Sequence, residues 1–211
     1  MENFFVPKKI WKDGGPFPHV LILLSEYPEF REYARAHHEL LAEYGEKLGV
    51  IPQEWLHSTV QGVHHAIDED QRDMLRVAVR EELAGMNPFQ VQLGPVWPGV
   101  TAVTVAVYPE DGMAELNGRA RMAMERVPGI TLRAPELRFW AHSTLAYARR
   151  NFPGRKLNRA LRALRPPRVD ITISRVHLVT QYQHPDLGYY TWKVVEEFQL
   201  GQVPAVLSDP V

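Results

Sequence analysis

A chain of 211 residues, 45% hydrophobic and 23% charged, has the make-up of an ordinary folded domain, which excludes a disordered, collagen-like or coiled-coil protein. Its formal net charge of -1 supplies no global attraction to nucleic acid or to an anionic membrane, so affinity for phosphate has to come from a local patch. The absence of cysteine excludes disulfides, zinc–cysteine sites and thiol catalysis together.

The first 18 residues are irregular, with Pro7, Gly14, Gly15, Pro16 and Pro18. The short apolar run His19 to Leu24 then reads as a buried strand. From Pro28 to Leu48, large side chains recur at spacings of three and four (Phe30, Tyr33, Leu40, Leu41, Tyr44, Leu48), which predicts a helix stopped near Gly45 or Gly49. Trp55 to Gln61 reads as a strand. Asp68 with Gln71 three positions on forms a capping-box pattern, opening a helix through Leu75, Val79, Leu83 and Met86 that ends at Asn87-Pro88.

Phe89 to Leu93 and Val100 to Tyr108 are predicted as a strand pair, and Glu110 to Val127 as a helix. The second half offers a strand over Arg138 to Tyr147, a helix over Gly154 to Leu164, and long strands over Val169 to Tyr182 and Tyr189 to Leu200 joined by the turn Pro185–Gly188. Hairpins interleaved with helices predict an α+β protein with largely antiparallel sheets.

The informative feature is a repeat. Trp-x-His-Ser-Thr stands at 55–59 and again at 140–144, each copy followed by an apolar residue, Val60 or Leu145. Internal duplication is the simplest explanation. On a strand, Trp, His and Thr of each copy share one face, so each copy presents an imidazole beside a hydroxyl. If the two strands are neighbours, His57, Thr59, His142 and Thr144 converge on one cleft. Two imidazoles can divide the acid and base roles of phosphodiester hydrolysis near neutrality, and two threonine hydroxyls can bind the non-bridging oxygens. The alternative for a single His-x-Thr is an interior histidine on a good strand former.

These residues resemble the two-histidine (2H) phosphoesterase superfamily and, within it, the RNA 2',3'-cyclic phosphodiesterases also called 2'-5' RNA ligases, whose pattern is a twice-repeated His-x-Thr-x. The resemblance covers about residues 19 to 200. It implies one bilobal domain over 1–211, with two pseudo-symmetric lobes, each an antiparallel sheet flanked by helices, around a central cleft. It also implies His57 and His142 as the acid/base pair, Thr59 and Thr144 as phosphate-binding residues, and an RNA end or small nucleotide as substrate. Ser58 and Ser143 depart from the family pattern, in which that position is a larger apolar residue. Which histidine is the base stays open.

Weaker signals surround the motifs. Eight basic residues and no acidic ones lie between Arg149 and Arg168, and Arg149, Arg150 and Arg159 are candidates for contact with an RNA backbone, or else belong to a solvated helix face. Among Trp97, Tyr147, Tyr182 and Tyr189, the candidates for stacking a nucleobase are Tyr147 and Tyr182. Trp55 and Trp140 either wall the cleft or pack between the lobes. His37-His38 and His64-His65 lack metal-ligand spacing, and His177 reads as structural, so no metal is expected. No organic cofactor, membrane association or obligatory protein partner is expected either, and with no apolar run of membrane-spanning length the chain reads as cytoplasmic. The rivals to a metal-independent phosphodiesterase are a nucleotide- or RNA-binding protein that uses the same cleft without turnover, and a metal-dependent hydrolase.

Overall fold

The computed structural model describes residues 1–201, so residues 202–211 of the expected unit lie outside the described residues. In chain order the elements are β1 (Phe17–Ile22), α1 (Pro28–Ala42), β2 (Leu48–Val50), β3 (Ser58–Gly62), α2 (Glu69–Leu83), β4 (Phe89–Pro98), β5 (Ala102–Tyr108), α3 (Asp111–Glu125), β6 (His142–Ala148), α4 (Arg155–Ala163), β7 (Val169–Ile173), β8 (Arg175–His184) and β9 (Tyr189–Gln199). The strands form two antiparallel sheets, one of four strands in the order β3-β1-β8-β9 and one of five in the order β2-β6-β5-β4-β7. The expected α+β, two-lobed arrangement is what the chain adopts.

A shift of about 85 positions carries β1 to β5, α1 to α3, β3 to β6, α2 to α4 and β4 to β8. The sheet segment β3-β1-β8 therefore corresponds to β6-β5-β4, with β4 and β8 exchanged between the lobes, so the repeated motif is the visible part of a duplicated lobe. The helices α2 and α3 cover the four-stranded sheet, while α1 and α4 cover the five-stranded one. Each lobe therefore borrows one helix from the other half of the chain. Apolar faces close these layers. Leu75, Val79 and Leu83 of α2 and Met113, Leu116 and Ala120 of α3 are buried on one side of their helices. Burying each large side chain contributes about 1.5–3 kcal/mol.

Local chemistry sets the boundaries. The capping box of α2 forms: the Gln71 backbone N–H donates to Asp68 Oδ1 at 2.8 Å, and the Asp68 N–H donates to Gln71 Oε1 at 3.0 Å. The first helix stops at Ala42 rather than running to Leu48. Gly45 there takes a positive φ of 49°, and Leu48–Val50 are drawn off as β2 to pair with Ala146–Ala148 of β6. The long strand expected over Val169 to Tyr182 breaks at Ser174, and its halves enter different sheets as β7 and β8. Among the described residues no helix is long and apolar enough to cross a membrane.

Candidate active site

The two motif strands start later than their periodicity indicates, at Ser58 and His142, because Trp55 closes a 3-10 turn (Gln53–Trp55) and Trp140 precedes β6 in an irregular segment. The functional consequence is in the histidines. His57 Nδ1 lies 2.9 Å from the carbonyl of Trp55, and His142 Nδ1 lies 2.9 Å from the carbonyl of Trp140. A carbonyl can only accept, so Nδ1 carries the proton in both rings and each Nε2 is left with its lone pair. The two copies thus fix one tautomer by the same local bond.

The serines that depart from the expected apolar pattern join the two lobes. Ser58 Oγ donates to the carbonyl of His142 at 2.7 Å, and Ser143 Oγ donates to the carbonyl of His57 at 2.7 Å, with both serines buried. This reciprocal pair sets the two histidines side by side across the lobe junction. Matching bulges follow. Val60 is the extra residue of β3 against β1, and Leu145 that of β6 against β5. The bulge lets Tyr147 follow Thr144 onto the cleft face.

The two imidazoles are not electrically equal. His57 is buried, and desolvation pushes its pKa down to about 4, against the raising effect of the Trp55 carbonyl and with a further lowering from His142. His142 is half-buried; desolvation also lowers it, while the Trp140 carbonyl and Glu136 pull it back up. The Gln181 amide nitrogen lies 3.4 Å from His57 Nε2, a long contact that identifies this nitrogen as an acceptor. Trp192 stands edge-on to His57 (ring centroids 4.9 Å, 71°), and Trp140 stacks on His142 (4.1 Å, 18°). Trp140 therefore walls the site, whereas Trp55 packs edge-on against Trp192 at 4.9 Å and belongs to both the wall and the core.

Thr59 is exposed and Thr144 is buried; burial pushes the Tyr147 phenol up, and the neighbouring Thr144 hydroxyl acts against that rise. Thr59 and His142 line a pocket of about 270 Å³, together with His64, Arg133, Glu136 and Trp140. Arg133, from the segment between α3 and β6, has no carboxylate partner among the described residues. Its charge helps to lower His64, whose pKa burial and Arg133 push down to about 4, and His19, which burial above all pushes to about 3. Arg133 therefore brings a positive charge to the pocket that Thr59 and His142 line. Neither Arg133 nor Gln181 has a sequence signal: one lies in an irregular segment, and the other is a single polar residue within an apolar strand.

The other sequence candidates are placed as follows. Tyr147 has its ring against Phe4 (4.4 Å), Phe5 (5.9 Å) and Tyr190 (5.7 Å), so the N-terminal segment covers the surface on which a base would stack. Tyr182 alternates with Gln181 and Gln183 on β8 and points away from the cleft. Arg149 donates to the Asp186 carbonyl, and Arg150 pairs with Glu46 at 3.0 Å. Arg159 lies on α4, beside the N-terminus and the tip of the β4–β5 hairpin, away from the histidines. The metal-type grouping among the described residues is Glu26, His177 and Glu197. Arg175 Nε stands 2.9 Å from Glu26, so a guanidinium already balances that charge.

At the level of sequence, no protein-family model matches the chain and no curated protein does. Solved structures match it over most of its length. TT0787 of Thermus thermophilus has a TM-score of 0.67 at 18% identity, covering 87% of this chain and 97% of that one. E. coli LigT complexed with 3'-AMP has a TM-score of 0.62 at 15% identity, covering 89% and 99%. The MHV ns2 PDE domain has a TM-score of 0.54 at 14% identity, covering 86% and 100%. The chain has the fold of these proteins. The likeness extends to a further structure described as a phosphoesterase, with a TM-score of 0.65 at 14% identity.

Proposed function

We propose that the protein is a metal-independent phosphodiesterase of the two-histidine type, which opens a 2',3'-cyclic phosphate or cleaves a 2'-5' linkage on an RNA end or small nucleotide. The observation that carries this reading is the matched pair of imidazoles, each bonded through Nδ1 to the carbonyl two residues before it, so that each Nε2 keeps its lone pair. The fold shared with LigT and a PDE domain supports it, as does the description of LigT as complexed with 3'-AMP and with phosphate.

His57, the more buried and the more resistant to protonation, acts as base. Its Nε2 takes a proton from water as the oxygen attacks phosphorus. The P–O bond to the 3' oxygen breaks on the far side, and His142, protonated at Nε2, gives its proton to that oxygen. A 2'-phosphomonoester remains. The negative charge of bound phosphate raises the His142 pKa and so supplies the acid form that burial disfavours. Thr59 and Thr144 donate to the non-bridging oxygens, and Arg133 balances the charge gathered there.

The test is product analysis after EDTA-treated protein is incubated with a short RNA ending in a 2',3'-cyclic phosphate, beside a 2'-5' dinucleotide. The expected result is a 2'-phosphate from wild type and no conversion by the His57→Ala/His142→Ala variant. Binding without any product would favour a nucleotide-binding protein, and activity that chelation removes would favour a metal hydrolase.

A further inference from the structure

Strand β7 pairs with Phe89 to Leu93 of β4 and no further, so residues 94–98 of β4 have no strand beside them on that edge. The space there is bounded by α1, α4 and the chain leading from α4 into β7, and it holds a cavity of about 470 Å³. Val96, in its wall, is opposite Val105, and Val105 is opposite Ser143, so this face is the reverse of the one that carries His142 and Thr144. None of the lining residues borders the pocket at Thr59 and His142.

The polar wall of the cavity consists of donors. Arg162, Arg165 and Arg168 line it, and none of the three has a carboxylate partner among the described residues. Arg168 donates to the Gln92 amide oxygen at 3.1 Å, and Arg165 Nε to the Arg162 carbonyl at 2.7 Å. The equivalent helix of the other lobe is neutralised: Arg76 Nε of α2 stands 2.7 Å from Glu196, and Arg80 pairs with the same carboxylate. One copy of this helix has its charge balanced within the chain, and the other turns its charge to a cavity.

Two more polar side chains reach the cavity without a partner. Tyr33 is 4% exposed, and its hydroxyl makes no hydrogen bond among the described residues. Burial pushes its pKa up to about 12 against the pull of Arg168, so it stays a neutral O–H donor. Gly94, at a φ of 115°, makes room for it: a Cβ there would stand 2.7 Å from the phenol oxygen. Asn158 Oδ1 is buried and unpartnered as well, and a half-turn of that amide presents N–H donors instead. Buried polar groups without partners are uncommon, and a ligand is one way to satisfy them. Val96 and Leu161 from the core, with Leu164, form the apolar floor.

A cavity of roughly 300–1,000 Å³ with an apolar floor and a few convergent polar groups suits a small organic molecule. Three guanidinium groups beside a phenol donor call for several negative charges at one end of it, and guanidinium pairs with phosphate through two N–H donors at once. We propose that this cavity is a second ligand site, separate from the catalytic cleft, for an organic diphosphate. The diphosphate pairs with Arg162, Arg165 and Arg168 and accepts from Tyr33, and the body lies on Val96, Leu161 and Leu164.

The experiment is calorimetric titration of the full chain with ADP, with geranyl diphosphate and with pyrophosphate, which present a nucleoside, an alkyl chain and the bare head. It is run on wild type, Arg165→Glu/Arg168→Glu, Tyr33→Phe and, as a control at the cleft, Thr59→Ala/His142→Ala. One of the two organic diphosphates should bind one to one and about tenfold or more tighter than pyrophosphate, and the tighter of them identifies the body. The double arginine variant should weaken it at least about tenfold and Tyr33→Phe about threefold to tenfold, with the cleft control unchanged. Affinity lost in the cleft control and kept in both cavity variants would place the anion at the histidines and overturn the inference. Absence of binding by both organic diphosphates, or pyrophosphate binding as tightly as either, would also overturn it.

Discussion

The lobe junction rests on two reciprocal hydrogen bonds, and their removal is a quantitative test of how the histidines are set. In Ser58→Ala and Ser143→Ala the Cβ stays, so packing changes by one hydroxyl, but the carbonyl of His142 or of His57 loses a donor that stands at 2.7 Å in a buried site. A bond of this length is near the optimum for O–H···O, and leaving a buried carbonyl without it costs about 1–2 kcal/mol. For a chain of this size each variant should lower Tm by roughly 3–8 °C. Because each bond holds the backbone of the opposite histidine, kcat should fall about tenfold to a hundredfold, with a smaller change in KM. Both bonds close one junction, so the double variant should depart from additivity by about 0.5 kcal/mol or more. Thermal melts followed by circular dichroism, with steady-state kinetics on the same preparations, measure all of this. A Tm within about 1 °C of wild type and an unchanged kcat in both single variants would refute the idea that the serines position the histidines.

Three further outcomes follow from the electrostatics. His19 and His57 are held far below the ordinary histidine pKa of 6.5, at about 3 and about 4, so the unfolded chain binds more protons below pH 6.5. Stability should therefore fall as pH drops from 6.5, by about 2 kcal/mol per histidine at pH 5, and level off above 6.5. Urea midpoints across that range check this, and a flat profile contradicts it. The kcat/KM profile should rise through about pH 4 as His57 loses its proton and fall through the His142 ionisation, which burial sets below 6.5, giving an acidic optimum. Replacing Arg133 with alanine should raise KM for a phosphodiester about tenfold to a hundredfold, with lysine restoring part of the loss; an unchanged KM would remove this residue from the site.

The parts of the fold that were legible in the sequence are those set by local chemistry. The Asp68–Gln71 capping box marked a helix start because both of its bonds lie within one turn. The doubled Trp-x-His-Ser-Thr was legible because duplication preserves spacing, and its offset of about 85 positions relates five pairs of elements. What escaped is tertiary. Val169 to His184 reads as one strand until Ser174, where the chain passes from one sheet to the other. Ser58 and Ser143 looked like misfits behind the strands because their acceptors lie 84 and 86 positions away, across the junction. Gln181 and Trp192 reach His57 from β8 and β9, the former 124 positions away in the chain, and Arg133 arrives from an irregular segment with no periodicity to mark it. The stacking surface expected at Tyr147 is covered by Phe4 and Phe5, contacts that no pattern around Tyr147 could announce.

The division of labour between the two histidines is the central claim, and a change of leaving group tests it most directly. Wild type, His57→Ala and His142→Ala are compared on an RNA 2',3'-cyclic phosphate and on a nucleoside 2'-(p-nitrophenyl phosphate), in which a leaving group that departs without a proton takes the place of the 3' oxygen. Both variants should lose the cyclic phosphate activity, while His142→Ala alone should keep near-wild-type hydrolysis of the nitrophenyl ester. Retention by His57→Ala instead would reverse the roles, and full activity of either variant on the cyclic phosphate would contradict the two-histidine mechanism.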